Sequence, residues 1–224
     1  MSWSEQAGSV TRAFDDWRLT DRDIRAFLKI NNQFVQKEYE RIWDELANSP
    51  GDPDGPELPD LFNDAVDGLW PSDHEWMLLS SVVKDGVTAF EVYLEKAANE
   101  VRRVHGLPDL EGRRGFLNWG DLRAFYKEHL GLSIDTAEVE RIQKLRHLLT
   151  HSPGELRTEA ERKAFGDPNE VFPSRQAKLS QGEVMAMLDE LGEAVRQVDP
   201  TAWRFAWAGD RASSLLALQG QPGP

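Results

Sequence analysis

The sequence contains no cysteine. That excludes a disulfide framework, a thiolate metal site and a thiol nucleophile. No apolar run approaches the roughly 20 residues that span a bilayer, and no basic start leads into an apolar stretch, so neither a membrane segment nor a secretory signal is expected. A glycine-rich phosphate loop, a GxSxG elbow and an HExxH pair are all missing. The acidic stretches lack the ordered Asp/Asn ligands and terminal Glu of a calcium loop. Lys and Arg are absent from Ile42 to Val83, a span that holds ten acidic residues. That one segment supplies most of the net charge of −13, leaving 29 acids against 26 bases elsewhere. These exclusions leave a soluble, cytoplasmic, cofactor-free and metal-free protein as the expectation.

What is present supports a packed core: 224 residues, 40% hydrophobic, with 8 Trp and 10 Phe. The dominant periodicity is helical. Ile24, Phe27, Leu28, Phe34, Val35, Ile42, Trp43 and Leu46 recur at helical steps, and Thr20 with Asp21 and Asp23 reads as a capped start. Asn48–Ser72, with five prolines, reads as a loop holding one short helix near Leu61–Val66. Trp76, Leu79, Val83, Val87, Phe90, Leu94, Ala97, Val101 and Val104 alternate steps of three and four, the seam of a long bundle helix. His105-Gly106-Leu107-Pro108 ends it, and a basic turn, Arg113-Arg114-Gly115, follows. Asp121–Leu130 reads as a shorter helix stopped by Gly131. Asp135-Thr136 caps a helix through Leu149 that Pro153 and Gly154 close. A polar loop then runs to Leu179, and Ser180 starts a helix ended by Pro200. The aromatics Trp203, Phe205 and Trp207, with Leu215 and Leu216, offer base stacking or, more commonly, the docking of a terminal helix. Gln219–Pro224 reads as a frayed end.

The expected fold is therefore all-α: an antiparallel helical bundle over 70–200, preceded by an N-terminal helical extension and acidic loop (1–69) and followed by a short helix and tail (201–224). The Trp76–Val104 and Asp135–Thr150 helices are expected at its centre.

One segment carries chemistry. Arg141 to Lys163 holds six bases and three acids, a local excess that tolerates a polyanion. Within it stands Arg146-His147-Leu148-Leu149-Thr150-His151. Arg146 and His151 lie about 140° apart on an ideal helix, so they converge within one chain only if the helix turns before His151. His147 and His151 sit one turn apart on one side. Arginine holds phosphate bidentately and offsets transition-state charge; histidine moves protons near neutral pH. That pairing suits phosphodiester cleavage with a ribose 2′-hydroxyl as nucleophile, which needs no metal. The blander alternatives are a surface ion pair for Arg146 and a C-terminal capping imidazole for His151. The i, i+4 histidines also have the spacing of a metal pair.

The Arg146-His147-x-x-x-His151 segment, with its flanking helices, resembles the R-x(4–6)-H signature of HEPN domains. The resemblance spans about Trp70 to Pro200. It implies a helical homodimer in which Arg146 and His151 of two protomers meet. It also implies a metal-independent endoribonuclease leaving a 2′,3′-cyclic phosphate, acting as a toxin or antiviral effector, with His147 orienting His151. A non-catalytic module binding nucleotide, RNA or a protein is the alternative. Some toxins of the family have a tyrosine two residues after the histidine, modified by a partner nucleotidyltransferase. Pro153 stands there in this chain, which departs from that mode of neutralisation by an antitoxin partner.

Overall fold

A computed structural model describes residues 9–49, 55–112, 117–167 and 175–207. It is all-α, with α1 (Arg12–Ala47), α2 (Leu58–Ala65), α3 (Pro71–Val104), α4 (Trp119–Phe125), a π-helical turn (Tyr126–Leu130), α5 (Ala137–His151), α6 (Glu159–Phe165) and α7 (Gln181–Trp207). No strand forms among the described residues; one isolated bridge joins Glu155 to Gln176. No helix among them is long and apolar enough to cross a membrane.

The four long helices alternate in direction. Ala13 of α1 meets Glu100 near the end of α3, while Tyr39 meets His74 near its start, so α1 and α3 run antiparallel. Leu188 of α7 packs on Gly86, and Asp199 bonds Tyr93 further along, so α3 and α7 run parallel. Arg146 of α5 lies by Glu91, and Gly154 beyond its end lies by Trp76, which makes α5 antiparallel to α3. α3 is the central element, packed along its length by α1 and α7 and, on a shorter front, by α5. Its expected stripe is the core from Leu79 to Val101: Leu79, Val83, Val87, Phe90, Leu94, Ala97 and Val101 are buried, whereas Trp76 is half-buried and Val104, at the end of the helix, is exposed. Burying each of the larger ones contributes roughly 1.5–3 kcal/mol. Gly86 permits the α7 approach, since a Cβ there would sit 2.5 Å from Leu188 Cδ2.

The structure corrects several boundaries. α1 starts eight residues before the expected cap at Thr20, and Thr20 instead lies inside the helix, its hydroxyl donating to the Asp16 carbonyl (3.1 Å). Thr11 is the cap, and its Oγ1 accepts from Phe14 N–H (3.0 Å). Glu100 accepts the Arg12 and Ala13 N–H groups (3.2 and 2.7 Å), so the orphan donors of the first turn are satisfied across the α1–α3 contact. α1 is thereby joined to the main core, to which Ala13, Phe14, Trp17 and Leu28 belong. The loop helix is α2, whose Phe62 fills a small aromatic cluster with Tyr39, Trp43 and Trp70.

At the other end, Pro200 does not terminate α7, which continues to Trp207. Proline removes one donor, but Ala202 and Ala206 stay buried against the bundle and hold the last turns in place. Trp207 lies under the Arg12 guanidinium (5.5 Å) and donates to Glu100 (3.3 Å), and Phe205 packs against the core, so these aromatics dock the helix end. The polar stretch expected as a loop to Leu179 contains α6, closed by a capping box in which Thr158 and Glu161 satisfy each other's backbone. The Arg113-Arg114-Gly115 turn, Leu215, Leu216 and the Gln219–Pro224 end lie outside the described residues.

Candidate active site

α5 is built as the sequence suggests. Thr136 caps it, accepting from Val139 N–H (3.1 Å), and Val139, Ile142, Leu145, Leu148 and Leu149 form its buried face. The helix remains regular through His151, and Ser152 N–H closes it on the Leu148 carbonyl (2.9 Å). The turn that would bring His151 round to Arg146 therefore does not occur before His151.

The three candidate residues divide between two sides of α5. Arg146 is half-buried and faces α3, where its guanidinium stands 4.0 Å from the Glu91 carboxylate. Burial pushes the Glu91 carboxyl above the ordinary range, and the Arg146 charge pulls it back. His147 and His151 are exposed, with ring centroids 4.4 Å apart. Among the described residues no group of three or more His, Asp or Glu gathers to hold a metal ion. Glu91 is the residue that sequence reasoning missed. In the sequence it is one polar position between Phe90 and Leu94, and no spacing rule links it to a residue 55 positions later.

Beside the histidines, a groove of about 870 Å³ runs between α4, α5 and α6. Its walls carry His147, the cations Arg123, Arg141, Lys144 and Arg157 and the carboxylates Glu140 and Glu161, with Trp119 and Phe165 as flat surfaces. The cations already have carboxylate partners: Asp135 for Arg123 (3.2 Å), Glu138 for Arg141 (2.7 Å), Glu140 for Lys144 (3.8 Å) and Glu155 for Arg157 (3.0 Å). Exposed pairs of this kind contribute roughly 0–1 kcal/mol each, so a phosphate competes for the cations at small cost. In the same wall Gln143 Nε2 is buried without a hydrogen-bond acceptor among the described residues.

The end of α5 is braced from behind. Ala177 N–H donates to the Gly154 carbonyl (2.8 Å), Leu156 N–H to the Arg175 carbonyl (2.9 Å), and Trp76 Nε1 to the Ala177 carbonyl (2.9 Å). Gly154 has φ +77°, and a Cβ there would lie 2.5 Å from Trp76 Cζ2. Gly154→Ala is expected to cost about 1–2 kcal/mol through left-handed strain and the displaced indole. Thermal unfolding measures that loss, and a wild-type melting profile would show that this brace does not constrain the end of α5.

Fold and site together define an all-α helical bundle with a groove along α5 that carries His147, four cations and two carboxylates. Family models, curated proteins and solved structures yield no match to this chain.

Proposed function

We propose that the protein is a metal-independent endoribonuclease of HEPN type, working as a toxin or stress effector. The supporting observation is the pair of exposed imidazoles, His147 and His151, 4.4 Å apart, of which His147 lines the groove that holds the four cations. A proton-transfer group within reach of the phosphodiester, held in place by a neighbour, is what 2′-hydroxyl attack needs. The His151 imidazole accepts the 2′-hydroxyl proton as O2′ bonds to phosphorus. The imidazolium so formed returns a proton to O5′ as the P–O5′ bond breaks. The products are a 2′,3′-cyclic phosphate and a 5′-hydroxyl end. His151, at the very end of the helix, is assigned the direct role, and His147 orients it from one turn back.

Arg146 enters by symmetry. It faces away from the histidines of its own chain, so a homodimer that sets two α5 ends face to face is the arrangement in which the Arg146 of one protomer serves the His151 of its partner. Glu91 then holds the guanidinium in position. The alternative reading, a non-catalytic module, is favoured by the same Glu91 contact, because an arginine already opposite a carboxylate is less available to a phosphate.

The test is purified protein with mixed structured and single-stranded RNA in EDTA. RNA is expected to be cut to 2′,3′-cyclic ends and DNA to survive, since it lacks the nucleophile. RNA that is bound but uncut would transfer the assignment to the interaction module.

A further inference from the structure

α1 is apolar on two opposite sides. Phe14, Trp17 and Leu28 face the core. On the other side Leu19, Phe27, Ile30 and Phe34 are 46%, 47%, 51% and 71% exposed, along a helix of 36 residues. An isolated exposed leucine is ordinary; two phenylalanines and an isoleucine within about two turns form a patch that water solvates poorly. Among the described residues no element covers it. The helical step puts Leu19, Asp23, Ala26, Ile30, Phe34, Lys37 and Arg41 along this outer stripe, at intervals of four, three, four, four, three and four. Such a row lies along any helix face, so an isologous contact requires further that the residues the axis brings together be complementary.

We infer that this face is an interface with a second copy of the chain, the two α1 helices lying antiparallel with Ile30 on the two-fold axis. The register follows from what then meets. Ile30 packs on the partner's Ile30. Ala26 takes the partner's Phe34, small against large. Asp23 meets the partner's Lys37, and the same pair repeats across the axis. Leu19 is covered by the aliphatic stem of the partner's Arg41. Within one chain Asp23 pairs only with its exposed neighbour Arg22, both 68% exposed, and Lys37 has no ion pair among the described residues. Moving the axis one turn to Phe34 sets Ile30 against the partner's Glu38 and Phe27 against the partner's Arg41, whereas the Ile30 register sets Phe27 beside the partner's Gln33 and pairs Asp23 with Lys37, so charge selects the Ile30 register. Because the outer stripe lies opposite the core-facing side of α1, the second bundle approaches without crossing the first.

The interface is separate from the α5 contact of the proposed nuclease, so a chain that uses both is a tetramer, and losing the α1 contact leaves the α5 dimer and RNA cleavage in place. The experiment is light scattering on the full chain at micromolar concentration, with circular dichroism to confirm folding. Phe34→Glu and Ile30→Glu each change a residue already exposed in the protomer. Each is expected to halve the mass of the wild-type assembly and leave helicity intact. Lys37→Asp places like charges at two symmetric positions and is expected to weaken assembly about tenfold. Asp23→Lys combined with Lys37→Asp is expected to restore it. A wild-type monomer, an unchanged mass in both glutamate variants, or no rescue by the charge exchange would each overturn the pairing.

Discussion

His151→Ala is expected to lower the rate of RNA cleavage by about 10²–10⁴, the usual size of a lost acid–base group. Arg146→Ala is expected to be comparably damaging, through lost stabilisation of charge on the phosphorane oxygens. Both variants should fold: His151 is exposed at the end of α5, and Arg146 is half-buried in an ion pair rather than in the apolar face. The sharper expectation concerns their combination. If Arg146 and His151 act from different protomers, mixing the two single variants forms heterodimers with one intact Arg–His composite site, and part of the activity returns. If both act from one chain, the mixture stays inactive. Chelator-resistant cleavage assays on each variant and on the equimolar mixture make the comparison. Equal cleavage by wild type and His151→Ala would place the chemistry elsewhere or expose a contaminating nuclease.

His147→Ala separates orientation from chemistry. A residue that only holds His151 in place is expected to change the rate by less than His151 does and to leave the form of the pH–rate profile intact. A residue that itself moves a proton is expected to remove one limb of that profile. Glu91→Gln asks a related question of Arg146. Removing the carboxylate while keeping its shape frees the guanidinium for phosphate, so RNA binding should tighten even where cleavage slows.

The elements that sequence reasoning places well are those whose signal is local and repeated. The α3 stripe is read directly from Leu79, Val83, Val87, Phe90 and Leu94, all buried, because three- and four-residue steps encode one helix face wherever the helix sits. The Thr136 cap and the Gly106 and Gly131 stops are equally local, and both glycines have positive φ (+68° and +66°). The start of α1 is different. Thr11 caps it through Phe14 N–H, but the contacts that select Thr11 are distant: its hydroxyl bonds Asp199, 188 positions away, and Glu100 accepts from Arg12 and Ala13, 88 and 87 positions away. Thr20-Asp21 offers a better local cap and is overridden by that tertiary contact. Pro200 fails as a stop for the same reason: the neighbours of the helix, not its own donors, hold the last turns. α6 carries a local signal in Thr158 and Glu161, yet none of its residues is buried, so no apolar period marks it. At the site, the separation of Arg146 from His151 around α5 follows from helix geometry, but the rotation that turns Arg146 toward Glu91 depends on how α5 packs on α3. Neither sequence segment specifies that alone.

The network that anchors α1 should be the most sensitive polar point in the fold. Asp199, 2% exposed, accepts three hydrogen bonds: from Thr11 N–H (3.2 Å), from the Thr11 hydroxyl (2.5 Å) and from the Tyr93 hydroxyl (3.1 Å). It thus ties the start of α1 to α3 and α7 at once. Asp199→Ala leaves three buried donors without this acceptor, an expected loss of about 2–4 kcal/mol. Asp199→Asn keeps an oxygen for the two hydroxyls but turns an amide N–H toward the Thr11 N–H, so its cost should be nearer 1–2 kcal/mol. The pH dependence distinguishes the charge from the geometry. Burial pushes the Asp199 carboxyl above its ordinary range, with the Thr11 and Tyr93 hydrogen bonds opposing the shift. The native state then holds the proton more tightly than the unfolded state. Between the ordinary carboxylate value and the raised native value, the Asp199 contribution to stability therefore falls as pH rises. Urea denaturation of wild type and Asp199→Asn, followed from acidic to neutral pH, should show the wild type losing stability relative to the variant across that window. A constant difference between the two would mean that the carboxylate is as well solvated by its three donors as by water, and that only the geometry of the contact anchors α1.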